Sequence, residues 1–305
     1  MATIEHKIKI PVAFNLSEPM VQINKKTTYS NGGSRTHRQY ELSHLLDTEG
    51  KKPRVDGVTS IISSQLTAPG LDYWKQDWIR RGLSGHKGEL TSGSIDEIMS
   101  ASDKEAQTSM EIGNDLHKII SGLLTDSNPY PSVSDQLRPA VTAFLRWRNQ
   151  YSDWKCVGSE VGIYNYEPAI DIGYAGTIDA VFARGSELMI VDWKTSSGLY
   201  DSNYMQLGAY AYALQRLVQE YTANAPSSNG NSHKIPFNNV DARAIRFVNA
   251  YPLDDNGKKD RSKAKIFEDQ VEESESIDVS FWMDAFLSCY HLRDARKSKV
   301  KTHLI

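Results

Sequence analysis

Thr177-Ile178-Asp179-Ala180-Val181-Phe182-Ala183, then Arg184-Gly185-Ser186-Glu187, then Leu188-Met189-Ile190-Val191-Asp192-Trp193-Lys194-Thr195: two apolar and β-branched runs flank a turn-like tetrapeptide. This pattern predicts a β-hairpin. Alternate residues of a strand share a face, so Asp192 and Lys194 project together while Val191 and Trp193 project oppositely. Asp179, on the partner strand, sits across from them if the register allows. Mg²⁺ and Mn²⁺ are hard ions that take oxygen ligands. Asp179, Asp192 and the backbone carbonyl of Trp193 offer a partial octahedron that water and a phosphate would complete. Lys194 is then close enough to hold an attacking hydroxide and offset charge developing on the phosphate. The plainer reading is a charged strand face turned to water, which is common in sheets with one wet side.

The surroundings decide between these readings. A helix is predicted from about Ser202 to Gln219, with Leu207, Ala211, Leu214 and Val218 as its core stripe. Gln206 and Tyr210 stand one turn apart on another face, either holding a phosphate or a water or lying idle on the helix surface. Upstream, Gly113-Asn114-Asp115-Leu116-His117 lies in a helix with the stripe Ile112, Leu116, Ile119, Ile120 and Leu123. His117 borders that stripe and is either a packing residue or a ligand. Gly113 leaves room one turn earlier. Glu160, in a strand predicted over 156–166, is either an exposed strand acid or a further metal ligand or base.

The ordered set Gly113-x-x-x-His117, Glu160, Gly176-Thr177-Ile178-Asp179, Val191-Asp192-Trp193-Lys194-Thr195-Ser196 and Gln206-x-x-x-Tyr210 resembles the PD-(D/E)XK nuclease superfamily. Within it, the trailing Gln-x-x-x-Tyr and the upstream histidine are similar to the RecB-like exonuclease branch. Gly57-Val58-Thr59-Ser60-Ile61-Ile62-Ser63 followed by Leu71-x-x-Trp74 is similar to the leading segment of phage exonucleases and of the mitochondrial genome maintenance exonuclease. The resemblance spans about residues 55 to 215. It implies a restriction-endonuclease-like α/β core, with a central mixed sheet flanked by helices and N-terminal strand and helix decorations. It also implies that His117, Asp179 and Asp192 bind metal and that Glu160 fills the first acidic position. Lys194 is then catalytic, with Gln206 and Tyr210 in support. Several RecB-like relatives hold an iron–sulfur cluster with four cysteines, whereas this chain has only Cys156 and Cys289, too few for one.

Composition bounds the rest. The 305 residues, 39% hydrophobic, suffice for one substantial core with decorations or two small domains. The division expected is an N-terminal β-rich extension over 1–55 and a nuclease domain over 56–305 with a helical insertion around 65–150. No apolar stretch reaches transmembrane length, and Met1 to Ile10 is unlike a signal peptide, so a soluble cytoplasmic protein with no membrane partner is expected. Two cysteines also suit a reducing compartment. The net charge of −3 argues against coating DNA through bulk electrostatics.

Local basic clusters stand out against that average. Lys51, Lys52 and Arg54 form one. Lys75, Arg80, Arg81, His86 and Lys87 surround Tyr73, Trp74 and Trp78, as in a single-strand channel where bases stack on rings. Trp74 and Trp78, one turn apart, are equally a helix packing against the core. Lys258 to Lys265 reads as a solvated loop, as does 222–232. Further helices are predicted over 70–82, 103–124, 134–151 and 279–296, with strands over 172–183, 188–195 and 242–250. The function expected is a Mg²⁺- or Mn²⁺-dependent DNA exonuclease acting on single strands or ends, of phage or bacterial character. The alternatives are a structure-specific or restriction-like endonuclease and a catalytically silent DNA-binding subunit.

Overall fold

Strand β6 (Glu187–Lys194) is covered on both faces: Leu188 and Ile190 enter one apolar cluster, while Met189, Val191 and Trp193 enter another. A strand buried on both sides belongs in the middle of a layered α/β sheet, not in one with a wet face. Its hairpin partner is β5 (Ile172–Arg184), paired antiparallel from Arg184↔Glu187 to Ala180↔Val191. The computed structural model describes residues 20–28, 34–43, 45–47, 49–66, 71–128, 131–170, 172–224, 240–260 and 265–302. The segment 1–10, Asn31-Gly32-Gly33, the loop from residue 225 onward, and Arg261 and Lys263 lie outside them.

The described residues form one eight-stranded mixed sheet. Beyond β6 lie β7 (Val240–Ala250), parallel to it, and β8 (Ile266–Glu273), antiparallel to β7. On the other side, β1 (Met20–Thr28), β2 (Ser34–Leu42) and β3 (Arg54–Gly57) extend the sheet through a β3–β5 contact at Asp56↔Tyr174 and Gly57↔Ala175. The N-terminal strands therefore continue the central sheet. β4 (Lys155–Glu167) runs along the opposite edge of β5. β5 thus shares one edge between β3 and β6, and its residues Gly176 to Asp179 have no ladder partner there among the described residues. That gap in the ladder becomes the cleft.

Helices α1 (Val58–Gln65), α5 (Asp201–Asn224) and α6 (Val279–Thr302) cover one face. Leu207, Leu214 and Phe286 are fully buried there. Helices α3 (Ser92–Leu124) and α4 (Arg138–Gln150) cover the other. There Phe144 and Trp147 pack edge-on against Trp193 at ring-centre distances of 5.7 and 5.2 Å. Helix α2 (Leu71–Gly85) packs on α3. Pro139 falls in the first turn of α4, where a missing N–H costs nothing. Cys156 and Cys289 are both free thiols. Among the described residues no helix is long and apolar enough to cross a membrane.

The sequence expectation names neither the helix α1 nor the strand β3, and it differs from the structure at α3 and β8 as well. α3 begins at Ser92, about three turns before residue 103. Thr91 and Ser94 close a capping box at its start, and the exposed, weakly periodic residues that follow are held by that cap and by α2. β8 was not expected at all, because Glu268, Asp269, Glu272 and Glu273 hide its alternation. Arg246 on β7 binds Glu272, Arg243 binds Glu273, and Arg146 on α4 binds Asp269. In the stretch before β8, Asp254 accepts the amides of Asn256 and Lys258, and Lys265 lies over the Tyr251 ring.

Candidate active site

The hairpin register decides what meets what. Ala180 pairs with Val191, so the next pair outward would be Asp179 and Asp192, but the ladder stops and the strands separate. Trp193 N–H, released from β5, donates instead to Asp179 Oδ2 at 2.7 Å. The sheet opens at this point, so side chains from both helical layers reach it. α3, whose Leu116 and Ile120 pack on one face, supplies His117; α5, whose Leu207 and Tyr210 pack on the other, supplies Gln206.

Asp192 and Lys194 project together, as the alternation requires. Lys194 Nζ lies 2.5 Å from Asp192 Oδ2 and donates to Gln206 Oε1 at 3.1 Å. Gln206 Nε2 donates to Asp192 Oδ1 at 3.3 Å and to the Tyr210 hydroxyl at 3.1 Å. Gln206 thus fixes both the acid and the amine. Tyr210 is buried against β5: a Cβ on Gly176 would stand 2.5 Å from its ring, so only glycine leaves that ring its place. A Cβ on Gly113 would likewise stand 2.9 Å from Thr195 Oγ1. That glycine lets α3 lie against the turn after Lys194, which places His117 over the opening.

His117 Nδ1 is 3.4 Å from Asp179 Oδ1. His117, Glu160 and Asp179 each present one ligand atom, all within 4.8 Å of one another. Glu160 adopts φ 53, a left-handed backbone conformation unusual for a non-glycine residue, within an irregular stretch of β4. The regular ladder skips it, from Ser159↔Ala180 to Val161↔Ile178, which releases its side chain from the strand's ordinary alternation.

The electrostatics are those of crowded acids. Burial pushes the Asp192 carboxyl above the usual carboxylate range, with Lys194 opposing and Asp179 adding to the rise. Burial and the Asp179 charge raise Glu160 as well, with His117 opposing. For His117, burial works to lower the imidazole, but the Asp179 hydrogen bond and the Asp179 and Asp192 charges outweigh it and raise it. Three carboxylates beside one another lose this repulsion when a cation joins them. Asp192, 2% exposed, keeps Oδ2 without a hydrogen-bond partner, facing only the Lys194 ammonium as an ion pair. A buried carboxylate oxygen held only by a lysine ammonium, next to a Glu/Asp/His trio, makes an oxygen-rich donor set that suits a hard divalent cation, so the residues fit the group.

These side chains line a cavity of about 780 Å³, together with Thr59 of α1, Asn114 and Lys118 of α3, and Arg38 of β2. Other expected site residues lie outside that lining. Trp193 contributes its amide to Asp179, while its side chain is core. Thr195 rests against Gly113, and the Ser196 hydroxyl donates to Gly198 O. Arg80 and Arg81 bind Asp77 at 2.6 and 3.2 Å. Trp74 stands edge-on to Trp78, and Arg81 covers the Trp78 ring. Of the basic cluster near residue 52, Arg54 is paired with Glu41. Sequence reasoning missed Asn249, whose Nδ2 donates to Thr195 O and Ser196 O at 2.9 and 3.4 Å and pins the turn after Lys194. A lone Asn on β7, 55 residues from Lys194, carries no sequence signal of that contact.

The sheet and the acid–acid–lysine constellation define a phosphodiesterase-type site on a restriction-endonuclease-like core. A sequence model of the PD-(D/E)XK nuclease superfamily matches residues 125–278, and the chain belongs to that superfamily. It is therefore a nuclease with a nucleic acid as substrate, from a superfamily whose members use divalent metals, and His117, Glu160 and Asp179 are grouped as such a metal would need. No curated protein matches the chain.

Proposed function

We propose that this protein is a Mg²⁺- or Mn²⁺-dependent DNA exonuclease of the RecB-like branch, acting on single strands or strand ends. Its setting would be cytoplasmic phage or bacterial DNA processing, recombination or repair. One observation carries the reading: Asp179, Asp192 and Lys194 converge, with His117 and Glu160, where β5 and β6 part. A divalent cation, when bound, would supply Lewis-acid chemistry, polarising a phosphoryl oxygen and acidifying a water. Asp179, Asp192, Glu160 and His117 would hold it, joined by the Trp193 carbonyl.

The remaining work falls to the chain itself. Lys194 Nζ, held by Gln206 Oε1, is aimed to steady the attacking water and offset charge growing on the scissile phosphate. Tyr210 fixes Gln206 through its hydroxyl. The Trp193 amide and His117 hold the Asp179 carboxylate in one orientation. Burial of Asp192 keeps water from competing for its oxygens.

Cleavage of 5′- and 3′-labelled linear strands, duplexes and circular single strands, with Mg²⁺, Mn²⁺ or chelator, tests the reading. Linear strands shorten to mononucleotides or short oligomers, circles survive, and chelator stops the reaction. Cut circles would replace the exonuclease reading with an endonuclease one. A protein that leaves every substrate intact and shows no divalent binding by calorimetry would be a silent subunit.

A further inference from the structure

The cavity contains cations that the metal chemistry does not use. Arg38 of β2 lines it and is exposed, and among the described residues no carboxylate pairs with its guanidinium. Its backbone, by contrast, is fixed: the Arg38 amide donates to Ser60 Oγ in the first turn of α1 at 3.0 Å. Lys118 lines the same cavity from α3, one residue past His117. Its only charge contact among the described residues is Asp115 at 3.4 Å, with both side chains largely in water, where such a pair contributes little. Arg54, Arg80 and Arg81, by contrast, are engaged by acids.

We infer that Arg38 and Lys118 are two phosphate contacts for a single nucleic-acid strand, reaching from β2 and α3 into the one cavity that holds the acids. This rests on the nuclease reading above and gives the path of the substrate through it. Both cations and the three carboxylates line one cavity, so a strand whose scissile phosphate lies at the acids can bring its neighbouring phosphates to Arg38 and Lys118. A polyanion approaching three carboxylates needs anchoring charge on the flanking phosphates. Arg38 supplies a planar fork for phosphate oxygens and Lys118 a mobile point charge.

The test is the salt dependence of binding. A fluorescein-labelled oligothymidylate is titrated with the protein in EDTA, so that nothing is cut, between about 50 and 200 mM salt. Each phosphate contact removed lowers the slope of log affinity against log salt by about 0.7 for a single strand. Arg38→Ala and Lys118→Ala should each lose about that much, and the double variant about twice as much. Arg38→Lys should keep the slope, and Arg38→Gln, a milder change, should lose it as Arg38→Ala does. Arg138→Ala, at an exposed arginine paired with Asp135 outside the cavity, should leave it unchanged. In Mg²⁺, Arg38→Ala should raise KM with kcat nearly intact.

If wild type binds the strand but the slope of Arg38→Ala and Arg38→Gln equals the wild-type slope, the inference is overturned and the nuclease reading stands. If wild type neither binds nor cuts any strand, that reading fails first and the inference with it.

Discussion

Lys194 is the residue on which the chemistry turns, because its ammonium is the one group placed against both the buried acid and Gln206. Lys194→Ala should lower kcat by about 10²–10³, as removal of one preorganised transition-state donor does, while calorimetric divalent binding is largely kept. Asp192→Ala should abolish both. Wild-type cleavage by Lys194→Ala would end the mechanistic assignment. Gly176 carries a second prediction. A methyl group there would stand 2.5 Å from the Tyr210 ring, and Tyr210 cannot retreat, being buried among α5 and β5 side chains. Gly176→Ala should cost about 1–3 kcal/mol in urea unfolding through overpacking, and cleavage should fall because Gln206 loses its support. Sequence reading found Gly176 within the Gly-Thr-Ile-Asp run, but the need for glycine there comes from a ring 34 residues onward. Arg38 and Asn249 left no local mark, since what matters in each is a neighbour distant in the chain.

At the scale of elements, the separation of β5 from β6 is what makes a site out of a hairpin. Ladder pairing up to Ala180↔Val191 fixes the register, and its interruption frees one amide and leaves two buried acids side by side at the cleft. The hairpin was legible as two continuous apolar runs around a glycine-containing turn, and the Gln206 helix as an apolar stripe at a period of 3.6. β8 was not, because an arginine on each neighbour makes an acidic strand tolerable only once the sheet is assembled. The outer part of the sheet is fastened to α6 by an ion pair between Asp56 of β3 and Arg293, both only slightly exposed, and Asp56 also accepts from Gln39 Nε2 at 2.7 Å. Replacing one partner strands a poorly hydrated charge. Arg293→Met should therefore destabilise by about 3 kcal/mol in urea unfolding, and the double variant Asp56→Asn/Arg293→Met should recover most of it. Equal losses in the single and double variants would show that the pair does not couple these elements.

For the molecule as a whole, the acids around the cleft are in tension with folding: burial and mutual repulsion raise Asp192 and Glu160. A divalent cation that binds only the folded chain relieves this. Thermal unfolding should shift upward in Mg²⁺ or Mn²⁺, by about 2.7 kcal/mol of stability at a hundredfold excess over Kd. Chelator should reverse the shift, and Asp192→Asn should abolish it without lowering the metal-free stability. A metal-independent midpoint in wild type would count against the cation site. The sequence by itself determined the hairpin, the pairing of Asp192 with Lys194 on one face, the order of the remaining site residues and hence the superfamily, because strand and helix periods act over a few neighbouring residues. Only the tertiary structure decided that the N-terminal strands continue the central sheet through β3, that β4 twists Glu160 toward Asp179, and that Arg38 shares a cavity with the acids. Those outcomes depend on non-local pairing and packing, across 19 positions for Glu160 and Asp179 and across more than a hundred for Asp56 and Tyr174 or Arg38 and Asp179, and no local pattern encodes such contacts.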